Sequence, residues 1–154
     1  MHNNSKYRVI TTNKKASYNY FIAETYTAGI VLTGTEIKSL RNGKVSINEA
    51  FCTIHNYDVF IRQMFIARYS LANYYNHEEY RVRKLLLQKH EIRKLQNKKI
   101  KNYTIIPTEV ILTQRGLAKI KISLAKGKKK YDKRQSLKEK DINRKIKTYI
   151  HGNS

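Results

Sequence analysis

The alternation in "LAKIKISLAK" (117–126) is the strongest constraint that this sequence places on its fold. Apolar side chains occupy every second position, and the positions between them include Lys119 and Lys121. A period of two with one apolar face is typical of an antiparallel strand that covers a core. The segment "TEVILT" (108–113) and a turn at 114–116 come just before it. The sequence therefore predicts a hairpin whose outer face carries lysines.

Two other stretches of the first half predict strands. "YFIAETYTAGIVLTG" (20–34) contains two β-branched segments, and the glycine in 27–29 indicates a bulge or sharp bend between them. "AFCTIHNYDVFIRQMFIA" (50–67) has two strand-like segments around a polar turn at 55–58, which predicts a second hairpin. Antiparallel strands in this number, with helices between them, predict a small β-barrel, and partly open Greek-key barrels often bind nucleic acid.

Helix signals occur at two places between the strands. Thr33 and Glu36 have the spacing of a capping box, and Gly43 fits a C-terminal cap, so a short helix is expected there. Residues 68–83 have no period and predict a polar loop. Residues 84–99 predict a helix, because the following apolar positions fall near one helical face: Leu85, Ile92 and Leu95.

The net charge of +21, from 32 Lys and Arg against 11 Asp and Glu, predicts a polyanionic partner. Nucleic acid is the first candidate and an anionic membrane the second. No segment approaches the roughly 20 apolar residues of a membrane span, and "MHNNSKYRVI" (1–10) lacks an apolar signal segment. With a single cysteine, Cys52, the chain has no internal disulfide framework. We therefore expect a cytoplasmic protein that binds no membrane.

The sequence offers no constellation that predicts catalysis. Its five histidines are scattered, and the most metal-like cluster is His77, Glu78 and Glu79, which we interpret as a solvated polar loop rather than a ligand set. Cys52 lies beside Phe51 in a strand segment, so we interpret it as a packed core thiol. Neither a glycine-rich phosphate loop nor a serine elbow is present. We expect no catalytic residue, no metal, no cofactor and no small-molecule substrate.

Four segments together resemble the SmpB family of SsrA-binding proteins: "NKKASYNYFI" (13–22), "AGIVLTGTEIKSLRNGKVSI" (28–47), "NHEEYRVRKLLLQKHEI" (76–92) and "AKGKKKYDKRQSLKEKD" (125–141). The resemblance implies a non-enzymatic protein that binds the tRNA-like domain of tmRNA. Such a protein brings tmRNA to bacterial ribosomes stalled on messages without a stop codon, for trans-translation. It also implies an antiparallel, OB-like β-barrel with about three helices in 1–130. A basic tail, 131–154, would be disordered in isolation and helical in the mRNA path of the small subunit.

The resemblance also carries specific residues over to this chain. The tmRNA-contacting positions that it implies, with the neighbouring cations, are Asn13, Lys14, Lys15, Tyr20, Thr27, Lys84, Leu86, Lys119 and Lys121. The positions that it implies for the ribosomal decoding centre and mRNA path are Gly127, Lys128, Lys129, Tyr131, Asp132, Lys133 and Arg134. Many members of the family have Glu where this chain has Thr27, and a hydroxyl replaces the acceptors of a carboxylate only in part.

The C-terminal segment also carries a helix pattern of its own. Ser136 and Glu139 have capping-box spacing, and one helical stripe contains Ile142, Ile146, Tyr149 and Ile150. A short helix with no core to cover this stripe is marginal in water, so we expect it to fold on contact with RNA. Two alternatives stay open: an OB-type ribosomal or RNA-chaperone protein not dedicated to tmRNA, and an RNA-modifying enzyme whose site is not apparent from the sequence.

Overall fold

The computed structural model of this protein describes residues 6–72, 74–99 and 101–152, with the backbone alone for the last four. It is mainly β, as the sequence predicts, and its described residues form four helices where about three were expected. The strands are β1 (Tyr7–Thr12), β2 (Tyr20–Ile30), β3 (Val45–Ser46), β4 (Phe51–His55), β5 (Asp58–Arg62), β6 (Phe65–Ile66), β7 (Arg83–Leu86), β8 (Thr104–Thr113) and β9 (Ala118–Gly127). The helices are α1 (Ala16–Asn19), α2 (Gly34–Arg41), α3 (Lys89–Lys99) and α4 (Lys130–Gly152).

Seven strands form one antiparallel sheet in the order β1-β8-β4-β5-β7-β2-β9, and β3 pairs with β6 in a second sheet. β8 also pairs with β9, so the pairings from β8 through β4, β5, β7, β2 and β9 return to β8. Among the described strands β1 pairs with β8 alone, with an irregularity between Val9 and Thr11. This order places β2 between β7 and β9, which brings residues from three distant segments side by side.

The predicted C-terminal hairpin is confirmed and forms one wall of the core. β8 and β9 pair across the turn at 114–116, and Ile120, Ile122 and Leu124 are fully buried. Lys119 and Lys121 are half-buried on the opposite face. Burying one branched apolar side chain contributes roughly 1.5–3 kcal/mol. A slip of one residue would exchange the two faces, so the alternation fixes the register.

The predicted helix α2 is confirmed together with its capping box. The Thr33 hydroxyl accepts a hydrogen bond from the backbone N–H of Glu36, and Glu36 Oε1 accepts one from the backbone N–H of Thr33 at 2.8 Å. Gly43 follows the helix with φ +76°, and its N–H donates to the Leu40 carbonyl at 2.9 Å. This left-handed conformation is relaxed for glycine, which explains its position after the last turn.

The predicted hairpin of 50–67 is also confirmed, as β4 and β5. The loop between these strands has two residues, Asn56 with φ +49° and Tyr57 with φ +64°. Two left-handed residues in a row make a type I′ turn, which favours Asn followed by Gly. Asn56 fits this preference, whereas Tyr57 does not, and its conformation costs about 1 kcal/mol relative to glycine.

Three local predictions were wrong. Residues 84–86 belong to β7 rather than to the start of a helix, because Arg83–Leu85 pair with β5 and Leu85–Leu86 with β2. β2 is one continuous strand, and its irregularity lies between Ile22 and Thr25 rather than at the glycine. α4 begins at Lys130 instead of near Ser136.

The N-terminus of α4 shows why Ser136 is not its cap. The Lys129 N–H donates to the Asp132 carboxylate at 3.3 Å, so the chain is already turned there. The Ser136 hydroxyl instead donates to the Asp132 carbonyl inside the helix.

No helix among the described residues is long and apolar enough to span a bilayer. The expectation that 131–154 is disordered in isolation stays a prediction.

Candidate nucleic-acid interface

The outer face of the sheet aligns predicted contact residues from three strands. Leu86 in β7 pairs with Gly29 in β2, and Gly29 pairs with Lys119 in β9. Directly paired residues of antiparallel strands project to the same face. Leu86 is 52% exposed and Lys119 is half-buried, whereas Leu85 is 2% exposed on the core side. An exposed leucine and a lysine therefore flank Gly29, and the Leu86 side chain packs closely over this glycine, 3.3 Å from where a Cβ would lie.

A second row of the same face lies two residues along the strands. Thr27 pairs with Lys121, and Lys121 pairs with Glu109 in β8. Residues separated by two positions in a strand share a face, so Thr27 and Lys121 adjoin Gly29 and Lys119. The two rows together form a surface that we call the outer patch, defined by the following residues: Thr27, Gly29, Leu86, Lys119 and Lys121.

The two lysines of the outer patch differ in their electrostatic environment. Lys121 Nζ donates to the Tyr7 hydroxyl at 2.9 Å and lies 3.5 Å from the Glu109 carboxylate. The hydrogen bond to Tyr7, followed by the charge of Glu109, raises the pKa of Lys121. Lys119 makes no ion pair with any described residue. Lys121 therefore has a nearby counter-charge in Glu109.

The Lys121–Glu109 pair could be predicted by counting residues along both strands from the hairpin turn. The Thr113 N–H donates to the Leu117 carbonyl, and the same register continued along the strands places Glu109 opposite Lys121. This signal was available in the sequence.

Lys84 and Leu86 lie beside a pocket of about 600 Å³ at the β7 side of the outer patch. Lys84 Nζ is 3.4 Å from the Asp58 carboxylate, and both side chains are about half-exposed. An exposed ion pair of this kind contributes at most about 1 kcal/mol. Lys84 is therefore available to exchange Asp58 for an incoming phosphate.

The predicted cluster at Asn13–Lys15 forms the turn before α1. The Asn13 amide donates to the Pro107 carbonyl at 3.0 Å, and its oxygen accepts from the Lys15 N–H at 3.2 Å. The Lys15 ammonium pairs with the exposed Glu49 carboxylate at 2.6 Å. Lys14 is exposed. Asn13 therefore shapes this turn, with one amide hydrogen left for an RNA contact.

Tyr20 lies at the other end of β2 from Thr27, seven residues or roughly 23 Å along the strand. It pairs with Gly127, and its half-buried ring packs against Ala16, Ile106 and Ala125. The structure therefore separates Tyr20 from the outer patch and places it near the start of the tail. Its ring supports the packing of α1.

Sequence reasoning missed the buried ion pair that positions β7. Arg83 and Glu36 are both fully buried and hydrogen-bonded to each other, and Arg81 Nη2 lies 2.6 Å from the same carboxylate. The Arg83 guanidinium also donates to the Met64 carbonyl at 2.7 Å and to the Glu79 carbonyl at 3.2 Å. Burial by itself raises the pKa of Glu36, but hydrogen bonds from Arg81, Thr33 and Arg83 lower it to about 2.

The interpretation of 77–79 as a solvated loop is wrong for His77, which is 1% exposed. Its Nε2 donates to the Ile66 carbonyl at 2.9 Å, so its Nδ1 accepts from the Thr35 hydroxyl at 2.9 Å. The histidine ties this loop to α2.

Cys52 is a core thiol, as predicted, and burial raises its pKa to about 12. No three His, Cys, Asp or Glu side chains cluster as metal ligands would within the described ranges.

The start of the tail is attached to the body of the protein through Lys128. The Lys128 ammonium donates to the Ser17 carbonyl at 2.8 Å and to the Ser136 hydroxyl at 2.7 Å, and it lies 4.8 Å from the centre of the Phe21 ring. Lys133 lies 5.9 Å from the centre of the Tyr18 ring. These contacts hold the first turns of α4 against α1.

The other predicted tail residues are accessible or lie in the turn into α4. Tyr131 is 69% exposed, and the following side chains are exposed as well: Lys129, Arg134, Ile142 and Ile146. Gly127 ends β9 opposite Tyr20, and Asp132 accepts the Lys129 N–H. The side chain of Tyr149 lies outside the described residues, as does that of Ile150.

Comparison with known proteins agrees with this arrangement. The family model described as SmpB protein matches residues 10–152. The chain belongs to the SmpB family. Among proteins named SsrA-binding protein, that of Pseudothermotoga lettingae is 48% identical over 93% of this chain and 97% of its own length. The Bacillus cereus relative is 50% identical over 90% of each.

A solved structure gives the same assignment. It has the description "tmRNA-SmpB: a journey to the center of the bacterial ribosome", and a chain in it is 40% identical to this one with a TM-score of 0.66. The match covers 82% of this chain and 87% of that chain. The structural similarity therefore covers most of this chain.

Proposed function

We propose that this protein binds the tRNA-like domain of tmRNA and delivers it to stalled ribosomes for trans-translation, without catalysing a reaction itself. The observation that carries this function is the alignment of Leu86, Gly29 and Lys119 across three strands. It combines an exposed apolar side chain with a cation, Lys119, that makes no ion pair with any described residue. Such a surface suits RNA that is bound by shape and phosphate rather than by sequence.

The fold that we propose for residues 1–130 is an OB-like β-barrel. The cyclic strand pairing from β8 back to β8 supports it. OB-folds bind nucleic acid on a strand face and its adjoining loops. The outer patch is such a strand face, and the turn at Asn13–Lys15 is an adjoining loop. Thr12, just before this turn, pairs with Glu109, and Glu109 pairs with Lys121 of the outer patch.

The tail, 131–154, acts on the ribosome in our proposal, in the decoding centre and the mRNA path. Exposed Tyr131 and Arg134, and the exposed stripe of Ile142 and Ile146, support this role because α4 leaves them without partners in the described chain. Basic side chains around them favour a polyanionic channel. Because its proposed partners, tmRNA and the ribosome, are cytoplasmic, we propose that the protein acts in the cytoplasm.

Competition between two RNAs tests the function. Filter binding of labelled tmRNA in an excess of unlabelled tRNA should leave most of the tmRNA bound. A ribosomal or RNA-chaperone protein without dedication to tmRNA would lose the label to the competitor. A tagging assay on ribosomes programmed with a stopless message then links binding to trans-translation, and its failure with the full chain would overturn the proposed role.

A further inference from the structure

Apart from Leu86 itself, the pocket beside Leu86 is lined by residues that are not part of the outer patch. Its walls include apolar side chains from β7 and α3, with Leu86 at one edge and the half-buried Ile92 at another. The hairpin turn between β4 and β5 closes one side with Tyr57, whose ring is 68% exposed. A volume of about 600 Å³ lies within the range of sites that enclose a small organic group.

Tyr57 occupies its position against a local backbone preference. It is the second residue of a type I′ turn at φ +64°, where glycine is relaxed and a bulky side chain is strained. A residue held in a strained conformation points to a role beyond the turn itself. Here the strain places an exposed aromatic ring at the rim of a pocket that adjoins an RNA-binding surface.

The charges around the pocket favour an anionic occupant. Three cations line it, Lys84, Lys89 and Arg93, against one carboxylate, Asp58, which is paired with Lys84. Lys89 and Arg93 are exposed and make no ion pair with any described residue. An aromatic ring beside unpaired cations provides for both parts of a nucleotide, because a base stacks on the ring and a phosphate binds the cations.

We propose that this pocket receives one unstacked nucleotide of the RNA bound on the outer patch, with its base on Tyr57 and its phosphate near Lys89 and Arg93. Leu86 then has a second role, as the apolar edge between the patch and the pocket. The proposal rests on the proposed function and extends it by a nucleotide-binding subsite.

Three substitutions at Tyr57 separate the ring from the backbone strain. Tyr57→Gly removes the ring and relaxes the turn, so its melting temperature should be equal to or above that of the native chain. Its affinity for a transcript of the tRNA-like domain should nevertheless fall about tenfold, since the variant cannot stack on the base. Tyr57→Asn, which also tolerates a left-handed conformation, should behave like the glycine variant. Tyr57→Phe should bind like the native chain.

Arg93 and its neighbour in α3 provide a matched pair for the charge. Arg93→Gln should lower the slope of log affinity against log salt by roughly 1. Lys94→Gln removes the same charge from a residue that does not line the pocket, and should change the slope less. Ultraviolet crosslinking of the native complex should attach a nucleotide to Tyr57.

The outcomes distinguish this proposal from the function on which it rests. If Tyr57→Gly and Tyr57→Asn both bind the transcript as tightly as the native chain, the proposed nucleotide subsite is refuted, while the proposal of tmRNA binding stands. Failure of the native chain to bind the transcript would overturn both.

Discussion

Replacing Glu36 by Gln tests whether one buried carboxylate holds strand β7, which carries Lys84 and Leu86, in place. Burial raises the pKa of Glu36, but the hydrogen bonds from Arg81, Thr33 and Arg83 lower it from 4.5 to about 2. At about 1.36 kcal/mol per pH unit, this difference corresponds to about 3 kcal/mol of folding free energy. The same carboxylate neutralises a fully buried guanidinium, and breaking such a pair costs roughly 3–5 kcal/mol.

The sign of the pH dependence follows from the lowered pKa. Because the folded value lies below the unfolded value of 4.5, the carboxylate stabilises the fold fully above about pH 5. This stabilisation decreases as the pH falls through 4.5 and is nearly lost at pH 2, with somewhat under half remaining at about pH 3. Glutamine does not titrate. The difference in unfolding free energy between the native chain and Glu36→Gln should therefore narrow by about 2 kcal/mol from pH 7 to pH 3.

Urea denaturation followed by circular dichroism at several pH values measures this difference. Glu49→Gln is the matched control, because it removes a carboxylate that is 74% exposed and paired only with the surface residue Lys15. Its unfolding free energy should follow that of the native chain at every pH. A difference for Glu36→Gln that stays constant from pH 7 to pH 3 would refute the assignment of a charged Glu36 to the folded state.

Three further predictions concern RNA. Lys119→Ala should lower the slope of log affinity for tmRNA against log salt by roughly 1 in filter binding; an unchanged slope would make Lys119 a solvated surface residue. Leu86→Ala should weaken tmRNA binding with little change in Tm, whereas Leu85→Ala should lower the unfolding free energy by ~2–5 kcal/mol; unfolding of the Leu86 variant would contradict its surface role. A chain ending at Lys130 should fold and bind isolated tmRNA within about tenfold, or ~1.4 kcal/mol, yet fail to support tagging on stalled ribosomes; tagging at the full-length rate would disprove a ribosomal role for the tail.

Local patterns in the sequence predicted the elements that local interactions define. The alternation from Ala118 to Leu124 sets the faces of β9, and the spacing of Thr33, Glu36 and Gly43 sets both ends of α2. The hairpin at 50–67 followed from its polar turn. In each case the residues that determine the structure lie within a few positions of one another, so the sequence displays them directly.

The contacts that assemble the site join distant segments, and no local pattern contains them. Residues 84–86 have helix-forming side chains, yet the neighbouring strands β5 and β2 hold them as a strand, since tertiary pairing overrides intrinsic preference. Glu36 and Arg83 are 47 residues apart in the sequence. The alignment of Leu86, Gly29 and Lys119 required the strand order, which the sequence alone does not provide.

The pairing of β1 has a consequence for solubility at high protein concentration. In the large sheet β1 pairs with β8 on one side and with no described strand on the other, so its free side presents a row of backbone donors and acceptors. Open edges of this kind recruit other chains into aggregates. The irregularity between Val9 and Thr11 interrupts the row, and Lys6 and Arg8 add repelling charge beside it. Both features oppose edge-to-edge association between copies of this protein at high concentration.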